Sequence, residues 1–191
     1  VVGTRRSHQA PMPTRKEIEL TAWEPIVYKD NPLDCIVHIA GYYSNSIEVN
    51  EIQNTFNSNV GIACSLSQYV TKQGIPVVAV GSFVEKYPGN EGLSYYATSK
   101  IAGKDILRKA THTSNVTFDY VYLYDTYGAS ARRKKFIDLL LEIGDSNQRL
   151  SASSGLQVQD LVFVEDIAIA LEGLVRKSAK NSSSFREWQI R

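Results

Sequence analysis

Apolar and polar positions fall into blocks along this chain. Cys35 to Ala40 (CIVHIA), Pro76 to Val80 (PVVAV) and the run VTFDYVYLY at 116–124 are apolar at nearly consecutive positions and too short for helices. Runs of this kind read as strands covered on both faces. Between them the spacing changes. From Ile47 to Gln73 apolar residues recur at helical intervals (Ile52, Phe56, Val60, Cys64), and Gly74 follows in the usual C-terminal stop position. A second helix is expected from about Tyr95 to Ala110. Val1 to Thr4 and Ile18 to Ala22 read as short strands. Past Gly128 the pattern predicts a helix within ARRKKFIDLLLEI, short strands at Arg149–Ala152 and Asp160–Phe163, a helix at Asp166–Lys177 capped by Asp166, and a strand-like FREWQI. Strands alternating with helices predict an α/β fold with a doubly wound, Rossmann-like parallel sheet.

Candidate chemistry gathers where two of these elements meet a loop. The strand at 76–80 runs into Gly81-Ser82, and the next helix opens with Tyr96-x-x-x-Lys100. Residues four apart share a helix face, so the Lys100 ammonium favours phenolate at Tyr96 and draws its pKa down from about 10. Ser82 stands at the carboxyl edge of the sheet, where open α/β sheets bind ligands. A hydroxyl, an acidified tyrosine and a lysine are what hydride reduction of a carbonyl requires: Ser82 holds the oxygen, Tyr96 gives the proton and Lys100 tunes Tyr96. In a chain with 11 tyrosines the Tyr/Lys pair alone is weak, and its bland reading is an exposed Tyr beside a solvated Lys. The order of strand-Ser, loop and Tyr-x-x-x-Lys helix is far more specific.

Composition narrows the partners. Twenty-one basic and 20 acidic side chains nearly cancel, so no overall field draws the chain to nucleic acid or to an anionic membrane. No apolar run approaches the roughly 18 residues of a membrane span, and VVGTRRSHQAP lacks a signal-peptide pattern, which makes cytoplasmic residence the expectation. Two cysteines are too few for a disulfide framework, and with His8, His38 and His112 they show no metal-ligand spacing, so no metal is expected. His38, inside an apolar strand, reads as a core histidine rather than a base.

Taken together, these segments resemble the extended short-chain dehydrogenases/reductases, the NAD-dependent family of nucleotide-sugar epimerases, dehydratases and ketoreductases. CIVHIAG, FNSNVG, VAVGSF, YYATSK, YLYDTYG and LQVQDLVFVEDIAIAL each match a family segment, with Gln159 where Arg is more usual. LYDTYG with RRKKFIDLLL and FREWQI is most similar to the branch of CDP-abequose and CDP-paratose synthases, NADPH-dependent 4-ketoreductases. The resemblance implies that Ser82, Tyr96 and Lys100 are catalytic, with Lys100 also bonding the cofactor ribose. It implies cofactor contacts at Ala40, Gly41, Asn59, Tyr124 and Thr126, and a substrate contact at Phe83. The substrate implied is a nucleotide-diphosphate deoxysugar reduced at C4; a 4-epimerase is the alternative, and a homodimer is the expected assembly. Dehydration is disfavoured, because Phe83-Val84 follow Ser82 where the similar dehydratases carry Asp-Glu.

Arg5 and Arg6 follow the first strand, where Arg suits a 2′-phosphate and an acidic residue would suit a free 2′-hydroxyl. They favour NADP (NADPH) over NAD, against a solvated basic turn as the other reading. Arg132 and Arg133, with Lys134 and Lys135, fit either a clamp for the substrate diphosphate or a solvated helix face. Residues 1–128 are expected to form the cofactor-binding and catalytic part, and 129–191 a partial substrate-binding part interleaved with it. The glycine-rich phosphate loop of such folds occurs nowhere in the 191 residues. It would precede Val1, so a longer fold is expected around this chain; without that loop the expected protein is a non-catalytic binding or scaffold relative.

Overall fold

The structure, a computed structural model, describes residues 2–5, 19–22, 33–87, 92–128, 135–144, 149, 151, 155–156, 158–178 and 183–191, the first two segments as backbone only. The chain forms two compact units, Val1–Leu33 and Asp34–Arg191. In the first, β1 (Val2–Arg5) pairs in parallel with β2 (Glu19–Ala22).

The second unit is built on a four-stranded sheet. Its strands are β3 (Ile36–His38), β4 (Val77–Ser82), β5 (Phe118–Leu123) and β8 (Phe185–Ile190), in that order and all parallel. Parallel neighbours require helical crossovers, and α1 (Val49–Gln73) and α2 (Tyr95–Thr113) supply them. Gly74 ends α1 at φ 65°, where its N–H bonds the Val70 carbonyl. That left-handed conformation costs glycine nothing and other residues about 1 kcal/mol or more. Ser94 starts α2 by accepting the Ala97 N–H at 3.2 Å.

The two sheet faces bury different helices. Val77, Ala79, Phe118, Tyr120 and Tyr122 pack with Ala63, Leu66, Val70, Leu107 and Ala110 of α1 and α2. Val78, Val80 and Val121 pack with Ile167 and Leu171 of α4 (Val164–Ser178). Each buried Val, Leu, Ile or Phe among them contributes roughly 1.5–3 kcal/mol by leaving water. Helices on both faces of a parallel sheet are the doubly wound arrangement expected from the sequence. Among the described residues no helix is long and apolar enough to cross a membrane.

Differences from the sequence reading lie mostly past residue 123. A separate strand, β6 (Asp125–Tyr127), pairs in parallel with β7 (Leu161–Phe163), and α3 (Phe136–Gly144) lies between them in sequence. Three residues after a strand end carry too little periodicity to announce another strand. Arg149 and Ser151 belong to no strand, and 150 and 152 lie outside the described residues. Asp166 is not the cap of α4: the helix begins at Val164, which places Asp166 in the first turn, where its charge still favours the helix dipole.

Asp119 is fully buried near the start of the otherwise apolar β5. It accepts bonds from Arg186 Nε at 2.6 Å, Arg186 Nη2 and Trp188 Nε1 at 2.7 Å each, and the Ser178 hydroxyl. Burial alone would raise this carboxyl; the Arg186, Ser178 and Trp188 donors outweigh it and hold it below the usual range. One carboxylate thus ties β8 and the end of α4 to the sheet centre.

Candidate active site

β4 delivers Ser82 to the carboxyl edge of the sheet, paired in register with Leu123 of β5. A single 3-10 turn, Phe83–Glu85, follows at once and packs against α2. Tyr96 lies in the first turn of α2, half-buried, its ring edge-on to Tyr43 with centroids 4.9 Å apart. Lys100 comes one turn later and is 8% exposed. Its Nζ makes no hydrogen bond or ion pair among the described residues. Burial lowers the Lys100 pKa, and the charge of Glu85 opposes that fall. Lys100 also borders a slot of about 10 Å³ with His38, Asn59, Lys104 and Tyr120, room for one water at most.

The loop after β3 covers this lysine. A Cβ on Gly41 would stand 3.8 Å from Lys100 Nζ and 3.5 Å from Asn59 Oδ1, so the Gly41 backbone passes directly beside the ammonium. Asn59 holds the loop: its Nδ2 donates to the Tyr42 carbonyl at 3.0 Å and to Ser99 Oγ at 2.8 Å, and its Oδ1 accepts the Tyr42 N–H at 2.7 Å. Ser99 Oγ in turn donates to the Tyr96 carbonyl at 2.7 Å. Asn59 therefore spends its amide on protein groups, joining α1, the loop and the Tyr96 turn. Ala40 is exposed in the same loop.

On the other side of Ser82, Phe83 stacks on Tyr124 with centroids 5.4 Å apart and planes within 15°. The Tyr124 hydroxyl donates to Gln189 Oε1 at 3.2 Å. Thr126 lies in β6, where its Oγ1 accepts from Lys135 Nζ at 3.2 Å. A cavity of about 200 Å³ opens there, lined by Asp125, Thr126, Tyr127, Lys135, Phe136, Ile137, Gln159 and Leu161.

Several sequence candidates are not placed by this geometry. Arg6, Arg132 and Arg133 lie outside the described residues, as does the side chain of Arg5 at the end of β1. One side chain at the site escaped the sequence reading. Glu85 looks like an ordinary surface residue after a strand, yet it is buried under Ser82; the signal was the adjacent Gly81, whose Cβ would stand 2.4 Å from the Tyr120 ring and 2.5 Å from Glu85 Oε1. Lys135 was grouped with its basic neighbours, and it alone of the four is described, facing the cavity. His38 is buried, and burial followed by the Lys100 charge pushes its imidazole down to about 4, which leaves it neutral near neutrality and a weak proton acceptor. Among the described residues no group of side chains could hold a metal ion.

Known proteins share this fold. Over 141 residues the chain is 25% identical to CDP-abequose synthase of Yersinia pseudotuberculosis, covering 72% of this chain and 50% of the relative. It is similar in structure to MoeE5 in complex with UDP-glucose and NAD, at 18% identity, TM-score 0.73, covering 97% of this chain and 66% of that one. It is also similar to the Bordetella bronchiseptica enzyme WbmG in complex with NAD, at 14% identity, TM-score 0.76, covering 99% of this chain and 63% of the other. The chain thus spans about half the length of that curated relative and under two thirds of these solved chains. The model of the NAD dependent epimerase/dehydratase family matches residues 2–185. A match over nearly the whole chain, on the fold that the strand order independently gives, makes this protein a member of the NAD dependent epimerase/dehydratase family.

Proposed function

We propose that the protein is an NAD(P)-dependent oxidoreductase that reduces the C4 keto group of a nucleotide-diphosphate deoxysugar. The observation that carries this reading is Lys100, a buried ammonium without a hydrogen bond among the described residues, one turn beyond Tyr96 and packed near the strand that ends at Ser82. A mostly buried cation of this kind has donors to offer a polar ligand group.

The residues present fit the ribose and nicotinamide end of a dinucleotide. Lys100 offers unused donors, and the exposed Ala40-Gly41 loop brings backbone rather than side chain beside them, with Asn59 fixing that loop. When bound, the cofactor supplies the hydride. Tyr96 delivers the proton to the carbonyl oxygen, Ser82 holds that oxygen, and the Lys100 charge lowers the cost of phenolate at Tyr96. The stacked Phe83 and Tyr124 offer an aromatic face beside Ser82 that suits a deoxysugar. Lys135 in the nearby cavity, with Arg132 and Arg133 close in sequence, suits the diphosphate. Arg5 and Arg6 favour the 2′-phosphate of NADPH, and the similarity to a CDP-abequose synthase favours a CDP-sugar.

The test takes two steps. NADPH added to the protein raises its thermal midpoint more than NADH does, as a ligand of the native state must. With a 4-keto-deoxysugar nucleotide the wild type then consumes NADPH stoichiometrically, and Tyr96→Phe lowers that rate about 100-fold or more without moving the midpoint. Conversion of a 4-hydroxy sugar nucleotide to its C4 epimer with no net NADPH consumption would replace the reductase by an epimerase, and the absence of both effects would leave a binding protein.

A further inference from the structure

The carboxylate of Glu85 is used twice over. It closes the turn after Ser82 and is 8% exposed. Its Oε1 accepts the Ser82 N–H at 2.7 Å, and the Tyr120 hydroxyl donates to both oxygens at 3.0 Å. The space for this arrangement exists because residue 81 is glycine; any Cβ there would collide with Tyr120 and Glu85 together. Tyr120 also lines the slot that Lys100 borders, so one phenol touches the carboxylate and flanks the ammonium.

We propose that Glu85 is a positioning residue of the site, whose carboxylate pins the Ser82 peptide and provides the counter-charge for the buried Lys100 ammonium. The inference rests on the assignment of Ser82, Tyr96 and Lys100 above. The slot beside Lys100 is lined by His38 from β3, Lys104 from α2 and Tyr120 from β5, and Glu85 joins this set through its bonds with the Tyr120 hydroxyl. His38 is neutral, Lys104 is a like charge and Tyr120 is a neutral donor, so Glu85 is the member of this set that can offset the cost of burying Lys100. Burial raises the Glu85 carboxyl, while the Ser82 N–H, Tyr120 and the two lysines work to keep it ionised. A site that lost this charge would let Lys100 release its proton more readily and would leave Tyr96 without its cationic neighbour.

Glu85→Gln tests the charge alone, because Gln keeps an oxygen for the Ser82 N–H and for Tyr120. Protein labelled at lysine ¹³Cε, with Lys100 assigned by comparison with Lys100→Met, is titrated by NMR without cofactor. Glu85→Gln lowers the Lys100 midpoint by about one pH unit or more, and Glu85→Asp returns it toward wild type. A midpoint unchanged in Glu85→Gln overturns the proposal, as does a fall equally large in Glu85→Asp, which would indicate a packing effect. In turnover of the 4-keto substrate, the kcat/KM profile of Glu85→Gln moves along pH with the lysine. A lysine midpoint that shifts in a protein inactive toward every sugar nucleotide supports the Glu85–Lys100 pairing and refutes the reductase reading, so the two fail separately.

Discussion

Replacing His38 with glutamine removes an acid-sensitive element from the core. The imidazole sits at the end of β3, 7% exposed, and burial together with the Lys100 charge lowers it from 6.5 to about 4. Because the folded value lies below the unfolded one, the unfolded chain takes up the proton first as pH falls. The contribution of His38 is therefore complete above about pH 6.5 and is lost progressively toward pH 4. A separation of about 2.5 pH units, at about 1.4 kcal/mol each, corresponds to about 3 kcal/mol of stability. That is a large fraction of the roughly 5–15 kcal/mol that holds a domain together. Urea unfolding of wild type and His38→Gln at about pH 8 and about pH 4 reads this difference. Every other group is the same in both proteins, so its contribution cancels. The wild type loses about 3 kcal/mol more than the variant over that range; equal losses, or an imidazole ¹H titration of His38 centred near 6.5, would refute the placement of His38 against Lys100.

Two further outcomes follow from packing. Gly81→Ala puts a methyl 2.4 Å from the Tyr120 ring, so Tyr120 or Glu85 must move; the variant is less stable by about 1–3 kcal/mol in chemical denaturation, and an unchanged midpoint would contradict the contact. Asp119→Ala leaves Arg186 and the Trp188 indole N–H without their acceptor and costs about 3–5 kcal/mol. Because the Asp119 carboxyl is held below its ordinary value, its contribution is present above the unfolded pKa near 4 and is lost as pH falls through the lower folded value. The acid limb of the stability curve is accordingly flatter in Asp119→Ala, and parallel acid limbs would count against that bonding.

The strands and long helices were legible because burial on both faces leaves no polar positions: β4 is apolar from Val77 to Val80, and α1 carries a helical stripe ended by Gly74. The placement of Ser82 at the end of β4 and of Tyr96 and Lys100 on the helix that follows was legible from their order along the chain, since a parallel sheet sends every strand end to one edge. Glu85 was not, because nothing in SFVEKY distinguishes a solvated glutamate from one folded back beneath the preceding strand. Asn59 was noticed, yet its work in joining the Tyr42 loop to the Tyr96 turn depends on contacts 17 and 40 residues away that no local pattern encodes. β7 was legible as the short apolar run at Asp160–Phe163, whereas β6 was hard to see because a three-residue strand owes its existence to a partner 36 positions distant, as Asp125 opposite Leu161 shows.

The bonding of Asp119 also orders events during folding. Its acceptors are answered by Ser178, Arg186 and Trp188, 59 to 69 positions further along the chain. Until that stretch arrives, β5 offers an open hydrogen-bonding rim with a bare negative charge within it. That charge is a gatekeeper: it discourages stray strands from annealing to the rim and admits the one whose guanidinium and indole answer it. Neutralising Asp119 would remove the guard along with the anchor, and chains stalled short of residue 185 would retain it with nothing to receive.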